Sequence, residues 1–389
     1  MIHGSCGAFF VTNQLLACVR SNADGDGRKF ASPRYDRDVQ AELVQRLAQE
    51  CGFELAGIAS AEPIPDDWAR YQAWIASGFA GEMQYMTDHR AGVRRDPRSL
   101  LQSAKSVICL GRFYQQANPA PEPDGPALIS RYARGRDYHD ELRESLNSLA
   151  RRLNAIEAHE WKVCVDTVPL LERSYARLAG LGWIGKNTCL INEPMGSWFF
   201  LGEIVTSLSI APGTPPPDRC GTCTRCIDAC PTAALVPAGN GEWTLDARRC
   251  ISYLNIELRG TIPEDLRFSM GANVFGCDIC QEVCPWNSRA PETSPATTCG
   301  SPSAAPSLPE LAMLTAEEFR GRFQGTPVTR PKYEGFLRNV AVAMGATASQ
   351  HGNAERFRLP LEHLAAHSSE LVADHARWAL ERVSECLES

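Results

Sequence analysis

Long apolar runs are absent from this 389-residue sequence, and their absence excludes a large class of proteins. A transmembrane helix needs about 20 consecutive apolar residues, and no stretch approaches that length although 44% of the residues are hydrophobic. We therefore expect no membrane association. The chain is long enough for two or three domains, at about 100–200 residues each.

An excess of positive charge is also lacking, because 39 Lys and Arg stand against 46 Asp and Glu, a formal net charge of -7. This balance argues against nucleic-acid binding through the whole surface, but it leaves room for a local basic face. The apolar stretch "AFFVTNQLLACV" has no Lys or Arg before it and no small-residue cleavage site after it. Because a secretory signal needs both, we expect a cytoplasmic protein.

The glycine-rich segment "GLGWIGKN", residues 180–187, lacks the context of a nucleotide-binding loop. Its glycines fit G-x-G-x-x-G, and Gly180, Gly185 and Lys186 give most of a P-loop, but Asn187 replaces the magnesium-binding Ser or Thr. A dinucleotide loop follows a strand and opens a helix. Here a helix predicted for "PLLERSYARLAG", with Pro169 in its first turn, precedes the loop. We expect either a helix C-terminus and tight turn, or a turn that approaches another ligand.

A second motif is incomplete. Asp137 and His139 begin an Asp-x-His-x-x-Gly cobalamin motif, but Leu142 occupies the glycine position. A histidine ligand to cobalt is therefore not supported. We interpret His139 as a structural or pocket-lining residue.

Cysteine, in contrast, is abundant, with 16 residues. In a small secreted chain such a number would indicate disulfides, but this chain is large and has no convincing export signal. Seven of the cysteines fall into two groups with short, regular spacing, and an eighth, Cys250, lies between them, which favours metal ligands. We interpret the other eight as core or surface thiols; they are Cys6, Cys18, Cys51, Cys109, Cys164, Cys189, Cys299 and Cys386.

The spacing of the grouped cysteines is that of a two-cluster ferredoxin. "CGTCTRCIDACP" is the C-x₂-C-x₂-C-x₃-C-P run, whose fourth cysteine ligates the other cluster. "CDICQEVCP" supplies three further cysteines by the same crossover. A zinc site would need only four ligands and no interleaved run. We predict two 4Fe–4S clusters, the first held by Cys220, Cys223, Cys226 and Cys284, and the second by Cys230, Cys250, Cys277 and Cys280.

One ligand of the second cluster stands outside the two runs. A regular motif would place it at position 274, which is Val274. Cys250 lies between the two runs and is the natural replacement.

Asp166 is the candidate acid, because it ends the buried strand predicted for "WKVCVD" just before a helix. In open α/β sheets, ligands collect at the carboxyl ends of strands. A helix N-cap formed by Asp166 or Thr167 is an equally good interpretation of the position. A catalytic acid there would need its pKa raised by burial against a large apolar ligand.

The order of predicted elements indicates a multidomain α+β or α/β protein. Helices alternate with buried strands up to about Ile210, and a helical stripe of Val372, Ala376, Ala379 and Val383 is typical of one unit of a helical repeat. The predicted domains are an N-terminal extension (1–36), a catalytic domain (37–212), a ferredoxin-like domain (213–290), a linker (291–333) and a helical unit (334–389).

From about residue 39 to the C-terminus, the chain resembles the epoxyqueuosine reductase family. The resemblance rests on "VDTVPLLER", "AGLGWIGKN", "GSWFFLGEI", the ferredoxin run and "FGCDICQEVCPWN". It implies a nitroreductase-like domain that binds cobalamin without a histidine ligand, a two-cluster ferredoxin domain, and a HEAT-like C-terminal unit that helps to bind tRNA. It also implies reduction of epoxyqueuosine to queuosine at the anticodon wobble position, with electrons passing from the clusters through cobalamin to the epoxide.

The same resemblance implies roles for individual residues. Asp166 matches the proton donor in the family's Asp-Thr-Gly-Pro segment, although Val168 replaces the glycine. Cys250 matches the family's isolated cluster ligand. The residues implied to line the cobalamin pocket are Arg173, Gly185, Lys186 and Asn187, and those implied to contact tRNA are Arg330, Lys332 and Arg338. We expect a monomer that receives electrons from an external donor.

Two rival functions use parts of the same sequence. A reductive dehalogenase also couples cobalamin to two clusters, but such enzymes are usually exported and a small-molecule pocket needs no basic C-terminal repeat. A ferredoxin-type electron carrier would not need the large domain that precedes the cysteines. Retention of cobalamin after anaerobic reconstitution distinguishes the carrier from the enzymes.

Overall fold

The computed structural model describes residues 35–116, 127–239, 241–292, 306–350 and 353–388. The predicted extension, apart from its last two residues, lies outside these ranges, and so does the first part of the predicted linker. Within the described ranges, every helix is too short or too polar to cross a membrane.

The described strands are short, and four of them build a sheet while the others form two-stranded pairs. In chain order the described strands are β1 (Leu55–Ser60), β2 (Ser106–Phe113), β3 (Leu128–Ile129), β4 (Trp161–Cys164), β5 (Trp183–Ile184), β6 (Leu190–Ile191), β7 (Phe199–Thr206), β8 (Leu235–Gly239), β9 (Glu242–Leu245) and β10 (Asn273–Phe275).

The four-stranded sheet has the order β1-β2-β7-β4, and all three pairings are antiparallel. The prediction of a mixed helix and sheet protein is confirmed, and its α+β form is the one that the pairings support. The rule that ligands collect at the carboxyl ends of parallel strands therefore does not apply to Asp166. Its position has to be explained by its own contacts.

Helices cover both faces of this sheet and form most of the described chain from Leu308 onward. They are α1 (Tyr35–Glu50), α2 (Pro65–Ala76), α3 (Gln84–Thr87), α4 (His89–Val93), α5 (Tyr138–Ile156), α6 (Glu172–Leu178), α7 (Arg225–Asp228), α8 (Ile251–Ile256), α9 (Glu264–Arg267), α10 (Ile279–Glu282), α11 (Leu308–Ala312), α12 (Ala316–Phe323), α13 (Lys332–Thr347), α14 (Asn353–Ala365) and α15 (Glu370–Glu388).

Alternation along the strands divides the core between the two faces of the sheet. Ile108 and Ile204 point to the face covered by α1 and α5. Their neighbours Cys109 and Val205 point to the opposite face, where α6 packs. Burial of one leucine-sized side chain contributes roughly 1.5–3 kcal/mol, so both faces contribute to holding the sheet.

Helix α6 begins three residues later than the sequence predicts. Pro169 lies in the turn before the helix rather than in its first turn, and the helix starts at Glu172. Gly180 ends it as predicted, with a φ of 90° that favours glycine. The segment "GLGWIGKN" therefore starts as a helix C-terminus, and the nucleotide-loop patterns in it are coincidental.

The second half of the predicted linker is helical, so that prediction is wrong for residues 306–333. Helices α11 and α12 bury Leu308, Leu311, Phe319 and Phe323. Thr315 and Glu318 form a reciprocal capping box at the start of α12.

The C-terminal helices share one apolar core with the cysteine-rich segment. The predicted stripe of α15 is buried, and its neighbours in the core include Ile256, Val274 and Phe275. A lone helical unit must stack on something to bury its apolar face. Here it stacks on the segment that carries the cysteines.

Arg338 is part of this packing, so the prediction that it contacts tRNA is wrong. Its side chain has no exposed surface. The guanidinium donates hydrogen bonds to the backbone carbonyls of Leu254 at 2.8 Å, Leu258 at 2.9 Å and Gly260 at 2.6 Å. Burial lowers its pKa to about 10, so it stays protonated at neutral pH. Arg338 braces α8, directly after Cys250.

Replacing Arg338 should therefore destabilise the protein rather than weaken RNA binding specifically. Arg338→Ala should cost about 3 kcal/mol or more, since each buried carbonyl left without a donor costs roughly 1–3 kcal/mol. Urea unfolding followed by circular dichroism measures the effect. Arg320→Ala, at an exposed position of α12, should leave the midpoint unchanged. Equal midpoints for both variants would contradict the bracing role.

Candidate functional site

The grouped cysteines lie on two short loops, each followed by one helical turn. Cys226 lies in α7 and Cys280 in α10. Across the described residues, the cysteines are free thiols without disulfides. The remaining grouped cysteines flank these helices, except Cys250, which precedes α8.

The electrostatic neighbours of these thiols fall into two sets. The pKa of Cys226 is raised to about 11. Burial is the largest cause, and the nearby thiols of Cys220, Cys284 and Cys223 add to it. These four also line one small cavity, together with Lys186 and Trp286.

The thiols of the second set influence one another electrostatically in the same way. Burial raises the pKa of Cys277 to about 12, with contributions from Cys250 and Cys230. Cys280 is hydrogen-bonded to the thiol of Cys189, one of the cysteines outside the predicted sets, and Cys277 and Cys250 are also among its neighbours. The structure thus brings together the same two sets of four that the spacing predicts, with Cys284 and Cys230 each joined to the other run.

Position 274 could not supply a thiol to the second set. Val274 lies in β10, fully buried in the core shared with the C-terminal helices. Cys250 fills the gap from the start of α8.

In the described part of the chain, no three Cys, His, Asp or Glu side chains converge as they would around a single metal ion. The four thiols of the first set instead line a common cavity, an arrangement compatible with a four-iron cluster, in which each thiolate binds a separate iron. The donor set is also right for such a cluster, because iron–sulfur clusters are held by four thiolates each.

The turn after α6 holds the cysteine loops in place. Lys186 Nζ donates to the carbonyl oxygens of Gly221 at 2.6 Å and Cys223 at 3.1 Å. Asn187 Nδ2 donates to the carbonyl oxygen of Cys280 at 3.3 Å. These two residues thus tie the first domain to both cysteine runs.

The two other predicted pocket residues support this turn. An added Cβ at Gly185 would lie 2.5 Å from the Ile191 side chain, so the close approach needs glycine. Arg173 is exposed and donates a hydrogen bond to the Thr188 carbonyl. Cobalamin contacts for Arg173 and for residues 185–187 stay a prediction.

Asp166 follows β4 in a strained turn, with a φ of 45° that non-glycine residues rarely adopt. Its Oδ2 lies 3.1 Å from His139 Nε2. The other ring nitrogen of His139 lies 2.7 Å from Asp137 Oδ1. The imidazole is thus held between two carboxylates, and it lies on a stack in which Tyr138 contacts both His139 and Phe200.

The pKa shifts in this group show where the proton resides. Burial alone would lower the pKa of His139, but its hydrogen bonds to Asp137 and Asp166 raise it to about 9. Burial would raise the pKa of Asp166, but hydrogen bonds from His139 and Tyr138 lower it below its ordinary value. The expectation of a raised pKa at Asp166 is therefore wrong for the ligand-free protein. At neutral pH the pair holds one proton, on the imidazole.

Asp166 lies in an open recess. Its side chain is 59% exposed, yet burial is the largest influence on its pKa, as expected for a group at the bottom of a concave surface. Tyr132 and Tyr138, both half-buried, line the recess near Asp166. Tyr132 is also close to Asp278, which lies between Cys277 and Cys280. Tyrosine side chains therefore extend from the candidate acid toward the second cysteine set.

Arg330 stands at the edge of this recess. Its guanidinium pairs with Glu257 at 3.2 Å, lies over the ring of Tyr85 and is near enough to Asp166 to lower its pKa. Lys332, two residues further on, is exposed at the start of α13. These two predicted tRNA contacts thus lie where a ligand of the recess could reach them.

The sequence interpretation missed the contacts of His139 with two carboxylates and the full burial of Glu203. His139 was identified with an incomplete cobalamin motif, whereas its position two residues after a helix N-cap explains its contact with Asp137. Glu203 stands in an otherwise apolar strand, and a charged residue in such a run is the signal that could have found it.

Two sequence-family models match the chain. One, described as "Epoxyqueuosine reductase QueG, DUF1730", matches residues 94–167. The other, described as a 4Fe-4S double cluster binding domain, matches residues 219–287, a range that includes all eight predicted ligands. The prediction of a double-cluster domain is thereby confirmed, and the assignment of each cysteine stays a prediction.

Known proteins resemble the chain over most of its length. An epoxyqueuosine reductase of Xanthomonas campestris is 41% identical over 354 residues, 89% of this chain and 97% of that protein. A crystal structure of epoxyqueuosine reductase with an epoxyqueuosine-modified stem loop of tRNA-Tyr has a TM-score of 0.79 at 28% identity, covering 90% of this chain and 93% of the other. A Bacillus subtilis epoxyqueuosine reductase, with its aspartate catalytic loop swung out of the active site, has a TM-score of 0.77 at 27% identity, covering 90% and 93%.

The crossover of ligands between the two cysteine runs can be tested by counting iron. Cys250→Ala and Cys284→Ala should each lower the iron content of anaerobically purified protein to roughly half, because each removes one four-iron cluster. Combining Cys284→Ala with Cys223→Ala should cause no further loss, since both belong to one set. Combining Cys284→Ala with Cys250→Ala should remove nearly all iron.

Cys51→Ala is the matched control, because Cys51 lies outside both sets and contacts Ser148. It should retain full iron. If Cys284→Ala and Cys250→Ala together still left half of the iron, the assignment of these two residues to different clusters would be wrong.

Proposed function

This chain belongs to the epoxyqueuosine reductase family, and on that premise we propose that it reduces epoxyqueuosine to queuosine at the wobble position of tRNA anticodons. The enzyme is an oxidoreductase. The observation that carries the proposal is the Asp166–His139 pair, which holds a proton in an open recess beside the double-cluster domain. A solved relative bound to an epoxyqueuosine-modified stem loop supports the substrate class.

The overall reaction needs two electrons and two protons, converts the epoxide to an alkene, and releases its oxygen as water. Electrons come from an external donor through the clusters. We infer that the protons come from side chains of this chain, because a nucleotide bound in the recess would exclude water from it. The site must therefore combine an electron supply with a proton donor at the departing oxygen.

The side chains around the recess are compatible with the proposed cobalamin. The tyrosine side chains suit a large flat macrocycle, and both ring nitrogens of His139 are engaged by carboxylates, so His139 is not available as a ligand to cobalt. Bound there, cobalamin would supply electrons to the epoxide. Arg173, Gly185, Lys186 and Asn187 remain the candidates for its contacts.

The Asp166–His139 pair would act as the proton donor. The imidazolium holds the proton at Nε2, 3.1 Å from Asp166 Oδ2. When substrate and cofactor exclude water, the negative charge of Asp166 is less well solvated, which favours transfer of this proton to its carboxylate. The acid then protonates the oxygen as the carbon–oxygen bond breaks. The aspartate catalytic loop of the Bacillus subtilis relative supports the role of Asp166.

Asp166→Asn should lower kcat on an epoxyqueuosine-modified stem loop by about 100-fold or more, the usual contribution of a general acid. Iron content and cobalamin retention should not change, because Asp166 holds no cluster. Asp140→Asn, an exposed position on α5 paired only with Arg143 among its described ion pairs, is the control and should keep full activity. Wild-type turnover by Asp166→Asn would rule out this donor.

The pair also predicts a pH dependence. The pKa of His139 is raised to about 9 in the folded protein, above about 6.5 for an unfolded histidine. Its contribution to stability is thus complete below pH 6.5 and is lost as the pH rises through 9. We expect turnover to fall over the same upper range. His139→Gln should remove this alkaline limb, which a pH series of kcat and of urea midpoints would measure.

The edge of the recess is proposed to bind the RNA backbone. Replacing Arg330 and Lys332 with Glu should weaken stem-loop binding. Each lost phosphate contact should reduce the magnitude of the slope of log K against log[salt] by about 1. Fluorescence titrations at several salt concentrations measure this. Arg377→Glu, on the exposed side of α15, is the control. Unchanged affinity of the double variant at moderate salt would reject this surface.

A further inference from the structure

Glu203 is a carboxyl group enclosed in the core. It lies in β7, between its cross-strand neighbours Cys109 and Cys164, on the face of the sheet that α6 covers. Its side chain has no exposed surface, and neither carboxyl oxygen has a hydrogen-bond partner among the described residues. The two flanking thiols do not serve it, because they point to the carbonyls of Val107 and Lys162.

Such a group cannot carry a charge at neutral pH. An ionised carboxylate without partners in a protein interior is far more costly than a neutral one, so the group keeps its proton. Burial raises the pKa of Glu203, and the nearby carboxyl groups of Glu172 and Asp166 raise it further. Glu203 is thus a neutral carboxylic acid whose proton, before substrate binds, is not committed to a hydrogen bond with any described residue.

Glu172 connects this acid to the site. It is the first residue of α6, and one of its carboxyl oxygens, Oε1, is enclosed without a partner in the described ranges. Its carboxyl group accepts a hydrogen bond from the backbone N–H of Asp166. Burial and the charge of Asp166 raise its pKa, while Arg173 and His139 oppose the shift. Glu203, Glu172 and Asp166 therefore form a series of carboxyl groups from the sheet to the recess.

Three neighbouring carboxyl groups cannot all be ionised, because like charges in a poorly solvated region disfavour one another. The series is therefore expected to hold protons at neutral pH in addition to the one on His139. Asp166 gives up its share most readily, since His139 stabilises its anion. Once Asp166 is ionised, the protons on Glu172 and Glu203 therefore lie near an ionised carboxylate.

We propose that Glu172 and Glu203 are a proton reserve that reloads the Asp166–His139 pair while substrate covers the site. This rests on the proposed function, which consumes two protons for each epoxide. The pair gives the first proton to the departing oxygen, Glu172 then passes the second to the Asp166 carboxylate, and Glu203 reprotonates Glu172. Each of the last two transfers needs a side-chain rotation or a bridging water, because Glu203 has no hydrogen-bond partner among the described residues and Glu172 is hydrogen-bonded to the backbone N–H of Asp166. The oxygen leaves as water, the electrons come from the external donor, and solvent recharges the reserve after product release. Both glutamates act through Asp166 and are positioning residues.

Glutamine substitutions test the reserve, because an amide keeps the shape and polarity of the side chain but releases no proton. In the holoenzyme with both clusters and cobalamin, Glu203→Gln and Glu172→Gln should each lower kcat on the modified stem loop by about tenfold or more, within the range of general acid catalysis. KM should not change. The alkaline limb of the kcat profile should move to lower pH, since fewer protons remain available as the pH rises.

Glu203→Asp, which restores an ionisable group, should recover part of the lost kcat and of the pH profile. Glu42→Gln, at an exposed position of α1, is the matched control and should behave as the wild type. Iron content and circular dichroism establish that each variant is folded. If Glu203→Gln and Glu172→Gln retained both the wild-type kcat and its pH profile, the reserve would be overturned.

Infrared spectroscopy of the substrate-free holoenzyme gives a readout that does not depend on turnover. The difference between wild type and Glu203→Gln at neutral pH should contain the carbonyl stretch of a protonated carboxylic acid. Absence of that band would overturn the reserve even if the enzyme reduces epoxyqueuosine. A wild-type enzyme that shows the band but never converts the modified stem loop would instead refute the proposed function and with it the reserve's role.

Discussion

The backbone pairing of β7 with both β2 and β4 is the constraint on which the site depends. Just before β7, Ser197 accepts and donates hydrogen bonds with Asn287, at the end of the cysteine-rich segment. Within the strand, Phe200 supports the stack under His139, and Glu203 points to the opposite face. One strand thus fixes the distance between the cysteine loops, the acid pair and the buried glutamate.

Features that depend on the spacing of residues along the chain could be predicted from the sequence. The two cysteine sets follow from a local pattern, and so does the end of α6 at Gly180, because both depend on residues close together in sequence. The substitution of Cys250 for position 274 could be inferred as well. The reason for it, the burial of Val274 between segments far apart in sequence, becomes visible only in the fold.

Features set by tertiary contacts could not be predicted. Arg338 looks like a surface cation in "KYEGFLRN", but carbonyls of a segment about 80 residues away enclose it. His139 and Asp166 meet across 27 residues, and their mutual hydrogen bond inverts the pKa shift expected for a buried acid. The antiparallel order of the sheet was equally hidden, because strand direction depends on pairing and not on hydrophobic pattern.

The core that the C-terminal helices share with β10 and α8 has a consequence for how this architecture can evolve. C-terminal helices that made no contact with the rest of the chain could be exchanged between genes as an independent domain. Here the C-terminal helices form part of the apolar core against which the cysteine-rich segment packs. Arg338 donates hydrogen bonds to backbone carbonyls of that segment. Recombination that replaced the C-terminal helices alone would expose this core, so the helices and the cysteine-rich segment are expected to be inherited together.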